Sequence, residues 1–157
     1  MQPKYSLPEI ECRWLVEPDS VLSLLIAPAR KIEDRYLDNG RLRRRAVSSP
    51  GVPTVFKLGK KYERVEFGLE QVVTIHRTES EYTGLLALPG ATARKLRYAV
   101  AGGSLDVYEF PDHGPAIFEF EFQSEAAAKA YEPPSFVGEE VTQKAQFSGH
   151  TLAHKAP

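Results

Sequence analysis

The run Phe118-Glu119-Phe120-Glu121-Phe122 places the tightest limit on what this chain can fold into. A period of two sets three phenyl rings on one face and two carboxylates on the other, a pattern that belongs to a strand and not to a helix. The alternation recurs along the chain. In Pro8 to Val16, Glu9, Glu11 and Arg13 oppose Ile10, Cys12 and Trp14; Arg43 and Arg45 share a face, as do Arg64 and Glu66. Lys57 follows Val55-Phe56, Lys95 and Arg97 straddle Leu96, and Asp106 lies between Leu105 and Val107. Any one of these segments alone is an ordinary half-buried strand with its polar face in water. Repeated with both signs of charge against apolar opposite faces, they point to a sheet whose apolar side packs on helices and whose charged side lines an interior.

The rest of the chain supports that architecture. Strands are expected at 8–16, 31–37, 42–47, 54–58, 62–67, 72–76, 94–100, 105–110 and 116–122, many joined by short polar turns. Asp38-Asn39-Gly40 and Ala101-Gly102-Gly103-Ser104 are hairpin signals. Short helices are expected from Pro18 to about Ile26, from Thr78 to Leu88 and, capped by Ser124, from Glu125 to Tyr131. About eight strands with three helices predict an α+β fold: an eight-stranded antiparallel β-barrel of up-and-down connection, with a few helices packed outside. The 157 residues form one domain, with a loosely held polar tail over 143–157.

Charge and composition exclude other classes. Twenty basic residues against 21 acidic ones, a net charge of -1, argue against a nucleic-acid or membrane binder working through a global basic field. Arg41 to Arg45 could pass for a nucleic-acid patch, but alternation splits it between two strand faces, and that reading comes second. A single cysteine, Cys12, excludes a disulfide framework, and alternation turns it to the outer core. His76, His113, His150 and His154 lack zinc spacing and read as surface or loop residues; no phosphate loop of the G-x-x-x-x-G-K-[ST] type is present. Met1 to Tyr5 lacks the apolar core of a signal peptide, and a cytoplasmic protein is expected.

A charged barrel lining is costly unless it is paired, hydrated or occupied by a ligand. Glutamates on two strands offer the hard oxygen ligands that Mg²⁺ or Mn²⁺ takes while leaving water positions open. Arginines can grip phosphate oxygens in bidentate fashion, with Lys57 as a point charge. Metal beside a basic cradle is the equipment of phosphoryl transfer. Periodicity alone therefore reaches a metal-dependent site for a polyphosphorylated anion.

Several motifs, in order over 8–142, resemble the CYTH or triphosphate tunnel metalloenzyme family. Glu9-Ile10-Glu11-Cys12-Arg13 resembles its E-x-E-x-K strand; Asp34 to Asp38 is similar to its second strand and Leu42-Arg43-Arg44-Arg45 to its LRxR strand. Thr54-Val55-Phe56-Lys57, Arg64-Val65-Glu66, Lys95-Leu96-Arg97-Tyr98 and Leu105-Asp106-Val107-Tyr108 resemble the TxK, RxE, KxRY and xDxF strands. Phe118 to Phe122 is similar to the late ExE strand, and Gly138-Glu139-Glu140-Val141-Thr142 to the closing GxEVT. The resemblance implies that Glu9, Glu11, Glu119 and Glu121 hold Mg²⁺ or Mn²⁺. It implies that Arg13, Arg43, Arg45, Lys57, Arg64 and Arg97 bind the triphosphate, with Glu66 and Asp106 in support and Glu9, Glu11 and Arg13 nearest the chemistry. The expected activity is metal-dependent hydrolysis of a small polyanion, with inorganic tripolyphosphate foremost. A class IV adenylate cyclase or a thiamine triphosphatase, acting on a nucleoside or thiamine triphosphate, would use the same cradle, and a non-catalytic polyphosphate-binding module is the alternative of another class. No nucleic acid or membrane partner is expected, and the protein would be a monomer or homodimer. Trp14, Tyr36 and Tyr82 are the aromatic candidates for a base or thiamine pocket, with outward core packing the expected role of each. Two departures stand out: Arg13 replaces the lysine of E-x-E-x-K and cannot share its proton chemistry, and Lys144 is the sole basic residue before Phe147 in the tail.

Overall fold

A computed structural model describes residues 3–37, 40–62, 69–111 and 113–155. Its strands are β1 (Leu7–Val16), β2 (Arg30–Leu37), β3 (Leu42–Ser49), β4 (Val52–Lys61), β5 (Leu69–Arg77), β6 (Gly90–Val100), β7 (Gly103–Phe110), β8 (Ala116–Phe122) and β9 (Val137–Glu140). The first eight close an antiparallel barrel in the ring order β1-β5-β4-β3-β2-β6-β7-β8. The edge of β1 that meets β5 through residues 7–10 carries β9 against Trp14 and Val16 further on. The eight-stranded α+β barrel expected from the alternation is the fold, with β9 as an added strand.

The path is not simply up-and-down. Strands β2 to β5 and β6 to β8 form two meanders, but β6 returns to pair with β2 and β1 sits between β5 and β8. Alternation along one strand reports its faces and leaves its neighbours open. Strand ends also run longer than expected: β4 extends to Lys61 and β5 begins at Leu69. Beyond Tyr62, the expected strand at 62–67 with its Arg64-Val65-Glu66 motif lies outside the described residues, as does the Asp38-Asn39 turn. The β6–β7 turn tightens to Ala101 and Gly102, with φ of 49° and 76°. Positive φ at both central residues matches the right-handed strand twist, as in a two-residue hairpin turn.

Helices are shorter than their patterns suggested. Pro18 to Ile26 forms two 3₁₀ turns, Pro18–Ser20 and Leu22–Leu24. Only Val21 there is buried, while Leu22, Leu24 and Ile26 are exposed, so no continuous apolar stripe rewards a longer helix. Helix α1 (Glu79–Gly84) opens with a capping box between Thr78 and Glu81 and stops before the exposed Leu86 and Leu88. In α2 (Glu125–Ala130) the Ser124 hydroxyl accepts from the Ala127 N–H.

Two apolar regions hold the barrel. Outside, Cys12, Trp14 and Phe118 are buried with Val21 and Leu105, and Phe120, Phe122, Tyr131 and Phe136 pack over them. Trp14 and Cys12 thus take their expected outer places. The second region involves the tail: Leu152 and Ala153 of α3 (Gly149–Ala153) pack with Tyr36, Ala93, Tyr108 and Ile117. A loosely held tail is therefore not what residues 145–153 form. Their two buried apolar side chains were too few to stand out in a polar sequence. Among the described residues, no helix is long and apolar enough to cross a membrane.

Candidate active site

The inward faces of the strands enclose a cavity of about 310 Å³. Period-two geometry delivers its lining in sets: Glu9, Glu11 and Arg13 from β1, Arg43 and Arg45 from β3, Lys57, Gly59 and Lys61 from β4. Glu70 comes from β5, Lys95 and Arg97 from β6, Tyr108 from β7, and Glu119 and Glu121 from β8. Of the candidate residues within the described segments, all line this cavity except Asp106, which is fully buried behind Arg97 and Lys95. Arg64 and Glu66 lie outside the described residues.

The lining separates into a basic side and an acidic side. On the basic side, Arg45 donates from Nε and Nη2 to both Asp34 oxygens at 2.6 and 2.8 Å, and Arg43 Nε lies 3.5 Å from the same carboxylate. Burial would raise the Asp34 carboxyl, but Arg43 and Arg45 outweigh it and hold it well below the usual carboxylate range. Asp106 serves the neighbouring pair in the same way. Arg97 donates from Nε and Nη2 to its two oxygens at 2.6 Å each, and Lys95 Nζ also donates to it. Arg97 then reaches Glu119 Oε2 at 2.6 Å. Burial opposes the charge of Arg97, yet Glu119 and Asp106 raise its pKa further above the arginine range.

Lys57 differs from these paired bases. Its pKa is lowered by partial burial and by the like charges of Arg45, Arg43, Arg30 and Arg97. Cations crowded this way, with no carboxylate recorded against Lys57 among the described residues, form a ready place for an anion.

On the acidic side, strand register opposes like with like. Glu9 faces Glu70 across β1–β5, and Glu11 faces Glu121 across β1–β8. Oxygens of Glu9, Glu11 and Glu70 lie within 4.8 Å of one another. Burial and the charges of Glu9 and Glu11 push the Glu121 carboxyl above its ordinary range. Lys61 Nζ sits among these groups, 2.5 Å from Glu9, 3.2 Å from Glu11 and 3.5 Å from Glu70. Burial would raise Glu11, but Lys61 and Arg13 overcome both burial and Glu9 to hold it below the usual range.

Several placements differ from the sequence expectations. The motifs group Glu119 with Glu9, Glu11 and Glu121; in the structure it turns to Arg97, and Glu70 joins Glu9 and Glu11. Arg13 faces the cavity, but its guanidinium donates to the Phe147 and Thr142 carbonyls at 3.0 and 3.4 Å, tying the tail to β1. Tyr36 points inward, not out, and meets His150 edge-on with centroids 5.3 Å apart. His150 lines the cavity too, against its expected surface role. Tyr82 does pack outside, against Phe56 and over Arg44. Arg44 is buried there, which confirms that β3 divides its arginines between two faces. Lys144 pairs with Glu139 on the exterior.

Lys61, Glu70, Lys95, Asp34, Tyr108 and His150 were missed as site residues. Lys95 shares the face of Arg97, and Lys61 that of Lys57, so period two could have found both. Glu70 lay before the expected start of its strand, and His150 reaches the cavity only through the fold of the tail.

No family model and no curated protein sequence matches the chain. Among solved structures, the crystal structure of the inorganic triphosphatase NE1496 superimposes with a TM-score of 0.57 at 26% identity, covering 95% of this chain and 96% of that one. The crystal structure of the hypothetical protein NE1496 matches with a TM-score of 0.58 at 26% identity, over 95% and 99%. A conserved hypothetical protein from Pyrococcus furiosus shares the fold, with a TM-score of 0.50 at 20% identity over 78% and 83%. The motif resemblance to the triphosphate tunnel family is thus matched by a resemblance in three dimensions.

Proposed function

We propose that the chain hydrolyses a triphosphate with the help of a divalent metal ion, with inorganic tripolyphosphate its foremost substrate. The register carries this reading: two carboxylate pairs held like against like on one side of a cavity, and Arg43, Arg45, Lys57 and Arg97 on the other. The structural likeness to an inorganic triphosphatase supports the same class.

The donor set suits the metal. Glu9, Glu11 and Glu70 converge within 4.8 Å as hard oxygen ligands, and Glu121 stands opposite Glu11. Mg²⁺ or Mn²⁺ favours such oxygens. When bound, it would supply Lewis-acid charge and lower the pKa of a bound water.

The chain's own residues do the positioning. Arg43 and Arg45 present guanidinium groups oriented from behind by Asp34, and Arg97 is set by Asp106. Backing carboxylates fix these forks before the anion arrives, so little reorganisation remains to be met at the transition state. Lys57 adds a further charge beside Arg43 and Arg45, with no carboxylate against it among the described residues. Phosphoryl transfer develops charge on non-bridging and leaving oxygens, where such cations stabilise it. Arg13, locked onto two carbonyls and permanently charged, contributes potential and structure and no proton transfer.

The deciding measurement is phosphate release from tripolyphosphate, ATP and thiamine triphosphate with Mg²⁺ or Mn²⁺, beside Glu9→Gln. Tripolyphosphate should turn over fastest, EDTA should abolish release, and Glu9→Gln should lower it by ~100-fold or more, a loss of a few kcal/mol of charge stabilisation. Tight triphosphate binding without metal-dependent turnover of any of the three would overturn the enzyme in favour of a binding module. Cyclic AMP from ATP would indicate a cyclase.

A further inference from the structure

The acidic cluster already contains a cation of the chain's own. Lys61 ends β4, and its ammonium lies 2.5 to 3.5 Å from oxygens of Glu9, Glu11 and Glu70. Those are the same carboxylates whose oxygens come within 4.8 Å of one another. A small divalent ion needs oxygens at about 2.0–2.2 Å in strict geometry. An ammonium within ion-pair distance of the same three groups stands where the ion would go, and the two cations repel at contact distance.

We propose that Lys61 is the resident counter-ion of this cluster, and that a divalent ion enters by displacing its ammonium. This rests on the metal-dependent reading above and adds to it a residue that sets metal affinity. Arg13 Nε lies 3.9 Å from Glu11, and the register sets two like-charge pairs, Glu9 opposite Glu70 and Glu11 opposite Glu121. Lys61 relieves them in the metal-free protein.

The side chain can leave. It retains 27% of its exposure and has a flexible four-carbon stem. On the inward face of β4, Gly59 separates it from Lys57 and places no side chain between them. The displaced ammonium therefore stays in the cavity that a polyanion would enter, and the anion offers it new partners. Metal and anion binding then reinforce each other, by equal factors as linkage requires.

The test is Mn²⁺ titration of the full chain, followed by the electron paramagnetic resonance of free Mn²⁺, without any phosphate compound. Lys61→Met should bind Mn²⁺ at least ~10-fold more tightly than the wild type, as expected for removing a unit charge a few ångströms from the ion. Lys57→Met removes a charge from the same cavity outside the cluster and should tighten binding much less. Equal affinity in wild type and Lys61→Met, or equal tightening in both variants, would overturn the role of Lys61 and leave the metal-dependent reading standing. Absence of Mn²⁺ binding in all three proteins would sink both. Should Lys61→Met unfold without metal, the Tm rise on adding Mn²⁺ decides: a larger rise than the wild type's supports displacement, and an equal one refutes it.

Discussion

Asp34 and Asp106 show how single buried carboxylates organise this interior. Each holds two bases of neighbouring strands, and each was outside the acidic motifs that dominate the sequence pattern. Removing one partner from a buried pair leaves an uncompensated charge, a loss of about 3–5 kcal/mol. Asp34→Asn should therefore lower urea stability at neutral pH. Because the folded-state pKa of Asp34 is depressed, its contribution is complete above the ordinary aspartate value of about 3.9 and is lost as pH falls below it. The wild-type and Asp34→Asn stability curves should thus converge in acid, a convergence that pH-dependent urea unfolding would reveal. Glu121 carries the opposite sign. Its raised pKa means that its ionisation weakens the fold as pH rises through the elevated value. In EDTA at neutral pH, Glu121→Gln should be slightly more stable than the wild type, by a fraction of a kcal/mol, since solvent screens part of the repulsion. The same variant should lose metal-dependent turnover. A gain in Tm with a loss of activity would mark a carboxylate kept for binding.

Among the elements, α3 does more than its length suggests. Five residues place Leu152 and Ala153 against Tyr36, Tyr108 and Ile117, while Ser148, Gly149 and His150 face the cavity. A Cβ on Gly149 would meet the Tyr36 hydroxyl at 2.6 Å, so glycine permits this close approach. Leu152→Ala should destabilise the protein by about 2–5 kcal/mol, the usual loss for truncating a buried leucine. An unchanged urea midpoint would return the tail to a loose appendage. Strands β1 and β8 were readable residue by residue, because one-sided aromatic packing imposes a strict period. Strands β4 and β5 run beyond the stretches that alternation marks, and Lys61 and Glu70 lie on those extensions. Their flanks lack the aromatic alternation that marks a strand, and pairing with neighbours extends them.

For the whole molecule, a net charge of -1 conceals a segregated interior. If the cavity binds a triphosphate, its basic side should act locally. The KM for tripolyphosphate should rise with ionic strength while kcat changes little, because salt screens the attraction of a polyanion before contact. A KM independent of salt would argue against an electrostatic cradle.

The sequence by itself determined the strand faces, the inward charges and the apolar outer wall, since these follow from a period of two and the cost of leaving aromatic rings in water. It also carried the motif order that resembles the triphosphate tunnel family. Only the tertiary structure decided which charges meet. Register brought Glu70 to Glu9 and left Glu119 to Arg97, while the end of β4 carried Lys61 into the acidic cluster. Ring order placed β1 between β5 and β8, and the tail packed against Tyr36 and Tyr108. The physical reason is range: alternation is enforced within each strand, whereas partners are chosen by long-range pairing and by the balance of desolvation against charge.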